Sequence, residues 1–159
     1  MAFRKIGLLA VSLEDASKKD IVEMLFARRD SRDAAKAFLR WLRESGGRRT
    51  GEEMSRFADE LQSGRLGCRL SRVNFYGTVL RRFVELGLVA KDLSYDGERR
   101  RAVRAYRAVL QPVGRHRPLA PSLMYLAHVV SERWNEEIGA RNPKTVGVLR
   151  PSRLDGRPD

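Results

Sequence analysis

The side chains best suited to binding chemistry in this sequence are arginines at short spacing. Arg99, Arg100 and Arg101 are consecutive, and Arg104 and Arg107 follow at intervals of three. A guanidinium group presents a planar fork of donors that fits phosphate oxygens and the edge of guanine. We therefore expect this segment to bind a partner that carries many phosphate groups.

The charge of the whole chain agrees with this expectation. The 159 residues include 32 Lys+Arg and 20 Asp+Glu, which gives a formal net charge of +12. Residues 65–107 hold 11 basic and 4 acidic residues, so about a quarter of the chain carries more than half of the excess charge. Because neutralising phosphates releases bound counterions, this distribution predicts a polyanionic partner.

Residue types used in catalysis and metal binding are few. Cys68 is the single cysteine, and His116 and His128 are too few to complete a zinc site of the usual spacing. The sequence has no Gly-rich phosphate loop followed by Lys-Ser/Thr and no Gly-x-Ser-x-Gly elbow. We therefore predict a protein without enzymatic activity, metal or cofactor.

Hydrophobic runs are too short to place the chain in a membrane. None approaches the roughly 18 apolar residues that a spanning helix needs. The apolar stretch from Ile6 to Val11 is short for a signal-peptide core, and no small-x-small cleavage site follows it. These features predict a cytoplasmic protein with no membrane partner.

Helical periodicity predicts three helices in the first half of the chain. The first ends near Arg28-Arg29, and the second ends at the glycine pair Gly46-Gly47. The third begins at a capping box in Thr50-Gly51-Glu52-Glu53 and ends at Gly64. Residues 1–29 are therefore predicted to form an N-terminal helical segment before the main domain.

A fourth helix and a β-hairpin are predicted next. Ser71 caps the helix, Gly87 ends it, and its predicted buried stripe is Val73, Tyr76, Val79, Leu80, Phe83 and Leu86. A strand then begins at Leu88-Val89-Ala90, and Asp96-Gly97 signals a tight turn into a returning strand that ends at Leu110.

The C-terminal part of the sequence changes in character. Residues 111–121 are predicted to be a linker, residues 122–140 an amphipathic helix and residues 141–159 a flexible basic tail. The helix has one apolar stripe, formed by Leu123, Ala127, Val130, Trp134 and Ile138. An apolar stripe must be buried. We expect it to form a homodimer interface, and the first helix of the same chain is the alternative contact.

The stretch from Ala34 to Leu110 resembles the winged-helix DNA-binding domain of prokaryotic transcriptional regulators, most of all the MarR-type pattern. The residues that carry the resemblance run from Val79 to Val89, from Asp96 to Arg101 and over Tyr106-Arg107. It implies a mainly α fold with a small β-hairpin, in which a winged helix-turn-helix core at 30–110 has flanking N- and C-terminal helices. The segment from Gly64 to Leu70 departs from the family, which has a tight turn there.

The resemblance implies a regulator that binds double-stranded DNA in a sequence-specific way, with no indication of an effector. The helix at 71–86 would lie in the major groove, and the wing at 91–107 would contact the backbone or minor groove. Arg72 would pair with guanine and Asn74 with adenine. The full set of implied DNA contacts is Arg72, Asn74, Phe75, Thr78, Arg81, Arg82, Arg99, Arg100, Arg101 and Arg104.

Two other functions fit the same residues. A basic winged helix that binds structured RNA, or that acts as a nucleic-acid architectural factor, would depend on total charge and not on Arg72 and Asn74. A protein-interaction adaptor for an acidic partner would use the hairpin and the last helix, and it would bind DNA weakly with little dependence on salt.

Overall fold

The computed structural model describes residues 18–118 and 123–139, and these are mainly helical with one small antiparallel sheet. The predicted combination of helices with a small β component is confirmed at this level. The elements are α1 (Ile21–Leu25), α2 (Arg29–Glu44), β1 (Arg48–Thr50), α3 (Gly51–Ser63), α4 (Arg72–Asn74), a π-helical segment (Phe75–Leu80), α5 (Arg81–Glu85), β2 (Val89–Asp96), β3 (Arg101–Ala108) and α6 (Leu123–Glu137). The three consecutive helical segments from Arg72 to Glu85 are called helix 72–85 below.

The boundary between the first two helices lies a few residues earlier in the chain than predicted. Helix α1 ends at Leu25, and α2 already begins at Arg29. The corner between them is held by Arg32, which donates hydrogen bonds to the carbonyl oxygens of Phe26 and Ala27, both at 2.8 Å. The predicted stop at Gly46-Gly47 is confirmed, because both glycines adopt positive φ directly after α2.

The sheet has three strands in the order β1-β3-β2, all antiparallel. Only β2 and β3 were predicted. Strand β1 pairs Arg48 with Arg107 and Thr50 with Ala105. Three residues of which two are arginines carry no alternating hydrophobic pattern, so the pairing with β3 alone defines this strand.

The turn of the hairpin differs from the predicted two-residue turn at Asp96-Gly97. Asp96 pairs with Arg101, so four residues, 97–100, connect the strands. The Asp96 side chain accepts hydrogen bonds from the backbone N–H groups of Glu98 and Arg99, at 3.0 and 3.2 Å. Arg100, and not Gly97, takes the positive φ, at 48°. The aspartate therefore organises a wider turn through its side chain.

Aromatic side chains form the centre of the core between α2, α3 and helix 72–85. The ring of Phe38 lies 5.9, 5.7 and 5.6 Å from the rings of Phe57, Phe75 and Phe83, measured between centroids. Trp41 stacks on Phe57 at 4.6 Å. These contacts fix the rotation of helix 72–85 about its own axis.

That rotation corrects the predicted stripe of helix 72–85. Val73 is predicted to lie in the core, but its side chain is 79% exposed, whereas Phe75 is fully buried. Both residues lie within one turn at the start of the helix, so periodicity could not choose between them. The larger aromatic side chain fills the space between Phe38 and Phe57, and the observed buried residues are Phe75, Val79, Leu80 and Phe83.

The apolar stripe of α6 packs in part against the core of its own chain. Trp134 has no exposed surface, contacts Phe83 at 5.6 Å and donates a hydrogen bond to the Val109 carbonyl at 2.8 Å. Val130 and Ile138 pack partly buried against the same core. Ala127 is exposed, and the side chain of Leu123 lies outside the described residues. Within the chain, Trp134 packs on helix 72–85, and Val130 also packs on the cluster that contains Met24 of α1, the alternative contact. The homodimer interface at this stripe stays a prediction.

The predicted linker begins with an anchored residue. The Gln111 backbone N–H donates to the Asn135 side chain at 2.8 Å, and the Asn135 amide donates back to the Gln111 carbonyl at 2.9 Å. This reciprocal pair connects the end of the sheet to α6. Residues 119–121 of the predicted linker and the predicted tail at 141–159 lie outside the described residues.

The predicted capping box at the start of α3 is confirmed and leads to a pH-dependent stability. The Glu53 backbone N–H donates to the Thr50 hydroxyl at 3.2 Å, and the Thr50 N–H donates to the Glu53 carboxylate at 2.8 Å. The hydrogen bond from the Thr50 backbone lowers the pKa of Glu53 below its ordinary value of 4.5. Because the folded-state pKa is depressed, this contribution to stability is present above about pH 4.5 and is lost as the pH falls through the folded-state pKa.

We expect Glu53→Gln to lower the free energy of unfolding by up to about 1 kcal/mol at pH 7 and by less at pH 3. Urea denaturation followed by circular dichroism at both pH values measures the difference. Glu60→Gln, at an exposed carboxylate on the same helix, is the control and should lack this pH-dependent loss. An equal loss at both pH values for Glu53→Gln would contradict the assignment.

Candidate nucleic-acid interface

The segment from Gly64 to Leu70 is an ordered connection that sets the start of helix 72–85. Gly64 ends α3 in the left-handed conformation, at φ 80°. Leu70 is buried, and its backbone N–H donates to the Leu61 carbonyl at 3.4 Å. Ser71 then caps the helix by accepting a hydrogen bond from the Asn74 N–H at 3.2 Å. The additional residues therefore anchor the helix to α3.

Arg72 binds α3, which differs from the base-pairing role implied by the resemblance. Its guanidinium donates to the Asp59 carboxylate at 2.9 Å, to the Ser55 hydroxyl at 2.9 Å and to the Ser55 carbonyl at 3.1 Å. It also lies 5.2 Å from the centre of the Tyr76 ring. The fork of donors is thus occupied by the protein, and Arg72 positions helix 72–85 on α3.

Two more of the predicted contacts point to the protein interior or to α1. Phe75 is fully buried among the aromatic rings of the core, so the prediction that it contacts DNA is wrong. Arg82 donates to the Leu25 carbonyl at the end of α1 and lies 5.3 Å from the centre of the Phe26 ring. Arg82 therefore links the C-terminal end of α1 to helix 72–85.

The remaining predicted residues of this helix form its solvent-facing side. Asn74, Thr78 and Arg81 are exposed together with Val73 and Gly77. Arg81 makes an ion pair with Glu85 at 2.7 Å on this side. Val73 is the most exposed of the large apolar side chains in the described part of the chain, and the helical periodicity did not predict this exposure. The exposed face thus combines an amide, a hydroxyl, a guanidinium and an apolar side chain.

Two arginines of the hairpin turn are bound to α3. Arg99 donates to both carboxylate oxygens of Glu52, at 3.0 and 3.1 Å, and Arg101 donates to one of them. Arg99 also lies 3.7 Å from Asp96. The hydrogen bond and charge of Arg99 hold the pKa of the Glu52 carboxyl below its usual value. Glu52 therefore ties the hairpin turn to the first turn of α3.

Three other cations of the hairpin are available to a ligand. Lys91, Arg100 and Arg104 are exposed and make no ion pair within residues 18–118 and 123–139. Lys91 and Arg104 line a groove of about 450 Å³ between the hairpin and helix 72–85. Arg81 and Glu85 line the helix side of this groove, and its apolar residues are Tyr76, Leu80, Val84 and Tyr106. The fold thus places three cations and one paired carboxylate around one groove.

Within the described ranges, no group of three or more His, Cys, Asp or Glu side chains is placed to hold a metal ion. None of the helices described has the length and apolar character needed to cross a membrane. No family model, curated protein or solved structure matches the chain.

Proposed function

We propose that this protein is a winged-helix transcriptional regulator that binds double-stranded DNA in a sequence-specific way. The observation that carries the proposal is the exposed side of helix 72–85 beside a groove. The hairpin side of this groove carries Lys91 and Arg104, which have no ion pair among the residues that the structure describes. A helix fits the major groove, and an adjoining cationic hairpin reaches the neighbouring backbone. The order of elements, with β1 between α2 and α3 and the sheet order β1-β3-β2, is compatible with a winged helix.

Each exposed residue has a role that suits its chemistry. The Asn74 amide is suited to adenine, and the methyl groups of Val73 are suited to the methyl group of thymine. Thr78 and Arg81 follow on the same side of the helix and can donate to bases or phosphates. Lys91, Arg100 and Arg104 hold phosphates, which sets affinity but not sequence preference. Arg72 acts as a positioning residue because its donors are used by α3.

A homodimer remains part of this proposal, although Trp134 is buried inside its own chain and offers no exposed surface to an interface. Such a dimer would present two copies of helix 72–85 to two half-sites of DNA.

Selection of bound fragments from a random pool of double-stranded DNA tests the proposal. We expect the wild-type protein to enrich one short sequence. Asn74→Ala should weaken binding to that sequence about ten- to a hundredfold, since a good bidentate contact contributes about 1–3 kcal/mol of discrimination. The binding of unrelated duplexes should be unchanged, because it depends on phosphate contacts.

The control is Arg40→Ala, which removes an exposed side chain of α2. No enrichment of any sequence, or equal binding of an RNA hairpin, would contradict the proposal and favour the RNA or architectural alternative. Binding to an acidic protein with negligible binding to DNA would favour the adaptor.

A further inference from the structure

The hairpin formed by β2 and β3 has two faces of different chemistry. Side chains of neighbouring strand residues alternate between faces, and directly paired residues share a face. One face carries Asp92, Ser94 and Asp96 with their partners Ala105, Val103 and Arg101. The other carries Lys91, Leu93 and Tyr95 with their partners Tyr106, Arg104 and Ala102. The first is called the polar face and the second the apolar face.

The polar face is occupied by contacts within the protein. Asp92 forms an ion pair with Arg107 at 3.0 Å on the same side of the sheet. Asp96 caps the turn, and Arg101 is bound by Glu52 of α3. Ala105 is buried where β3 pairs with β1. The charges of this face are therefore already neutralised, and it offers little to a ligand.

The apolar face leaves two large side chains in solvent. Leu93 is 74% exposed and Tyr95 is 70% exposed, although Tyr106 on the same face is buried at the base of the hairpin. On a solvent-exposed strand face polar side chains are expected, since strands with one solvated face alternate apolar and polar residues. The placement of Leu93 and Tyr95 beyond the core therefore points to a partner with its own apolar surface.

Charge identifies the class of that partner. Leu93 lies directly opposite Arg104, and Lys91 precedes it on the same face; neither cation has an ion-pair partner in the part of the chain that the structure describes. The turn adds the exposed Arg100 beside Glu98. Cations flanking an apolar strip match a nucleic acid, in which phosphates border sugars and base edges.

We infer that the apolar face is a wedge that enters the minor groove of DNA and bends the duplex, with Leu93 and Tyr95 against the base step and Lys91 and Arg104 on the flanking phosphates. This inference rests on the proposed function, because it places the wedge beside the site read by helix 72–85. Apolar side chains inserted between base pairs unstack the step partially and kink the duplex toward the major groove. The bend adds preference for flexible steps at positions that no side chain reads directly.

The test uses the full chain and a selected duplex of about 30 base pairs with a dye at each end, long enough to report a bend. The variant is Leu93→Thr with Tyr95→Thr, because threonine is well accepted in strands and removes the large apolar groups. The control is Val103→Thr on the polar face, which removes apolar surface from the same hairpin. Energy transfer between the dyes measures the bend, and a salt titration measures the phosphate contacts.

We expect wild type and the Val103 variant to shorten the distance between the dyes. The double variant should leave the duplex straight and bind about tenfold more weakly, with an unchanged salt slope because its cations remain. A wild-type complex that is sequence-specific but straight overturns the wedge and leaves the proposed function standing. A double variant that folds like wild type and bends DNA equally also overturns it. A wild-type protein that binds no duplex overturns both.

Discussion

Trp134→Ala should lower the free energy of unfolding by about 3–5 kcal/mol, the range for truncating a large aromatic side chain in a core. Trp134 has no exposed surface and joins α6 to Phe83 of helix 72–85. Its indole N–H also donates to the Val109 carbonyl at the end of the sheet, so the variant removes one of the two side-chain donors to this carbonyl, and Gln111 remains as the other. The loss should therefore affect the whole domain and not α6 alone.

Chemical denaturation with circular dichroism and light scattering separates this result from dimer dissociation. Ala127→Ser, at an exposed position of α6, is the control and should change stability by less than about 0.5 kcal/mol. Trp134→Ala should be less stable than wild type at the same molar mass. A variant with half the molar mass of wild type and an unchanged free energy of unfolding would show that the α6 stripe forms a dimer interface.

Replacing Lys91, Arg100 and Arg104 together with glutamine should weaken binding to every DNA sequence about a hundredfold near physiological salt. Each lost phosphate contact removes about 0.9 from the magnitude of the slope of log K against log salt, so the slope should fall by about 2–3. These three cations have no ion-pair partners in the described ranges. Their removal therefore changes the charge of the hairpin without breaking an ion pair of the described residues.

The matched control removes three charges from the outer side of α2. Arg29, Lys36 and Arg40 are all exposed there, opposite the buried face that packs on helix 72–85. Replacing them with glutamine should leave most of the affinity and of the salt slope in place. Equal losses for both triple variants would show that only net charge matters, which is the behaviour expected of the architectural alternative. Fluorescence anisotropy at several salt concentrations makes the comparison.

Local signals predicted most of the helix boundaries. The capping box at Thr50, the cap at Ser71 and the left-handed glycines Gly64 and Gly87 act through hydrogen bonds and backbone angles within a few residues. They form in the structure as predicted because each depends on its immediate neighbours. Strand β1 and the four-residue turn at 97–100 were not predicted, because pairing with β3 and the Asp96 side chain decide them.

The arginines of helix 72–85 and the hairpin show how much of a binding site can be predicted from composition. The sequence predicts a basic helix and hairpin, but it does not show which of these arginines the protein itself binds. In the folded chain Arg72 binds α3, Arg82 binds the end of α1, and Arg99 with Arg101 binds Glu52. A guanidinium is available to phosphate only where no carboxylate or carbonyl of the protein already accepts its donors.

The local features of this protein follow from its amino-acid sequence: where most helices begin and end, where the positive charge concentrates and that α6 has an apolar stripe. These depend on residue type and on spacing within one or two turns. Tertiary contacts decide that Phe75 turns inward while Val73 faces solvent, that Trp134 is buried in its own chain, and that Lys91, Arg100 and Arg104 have no ion pair among the described residues. Each of these outcomes depends on contacts between segments far apart in the chain, and no local pattern encodes which of several suitable partners comes within reach.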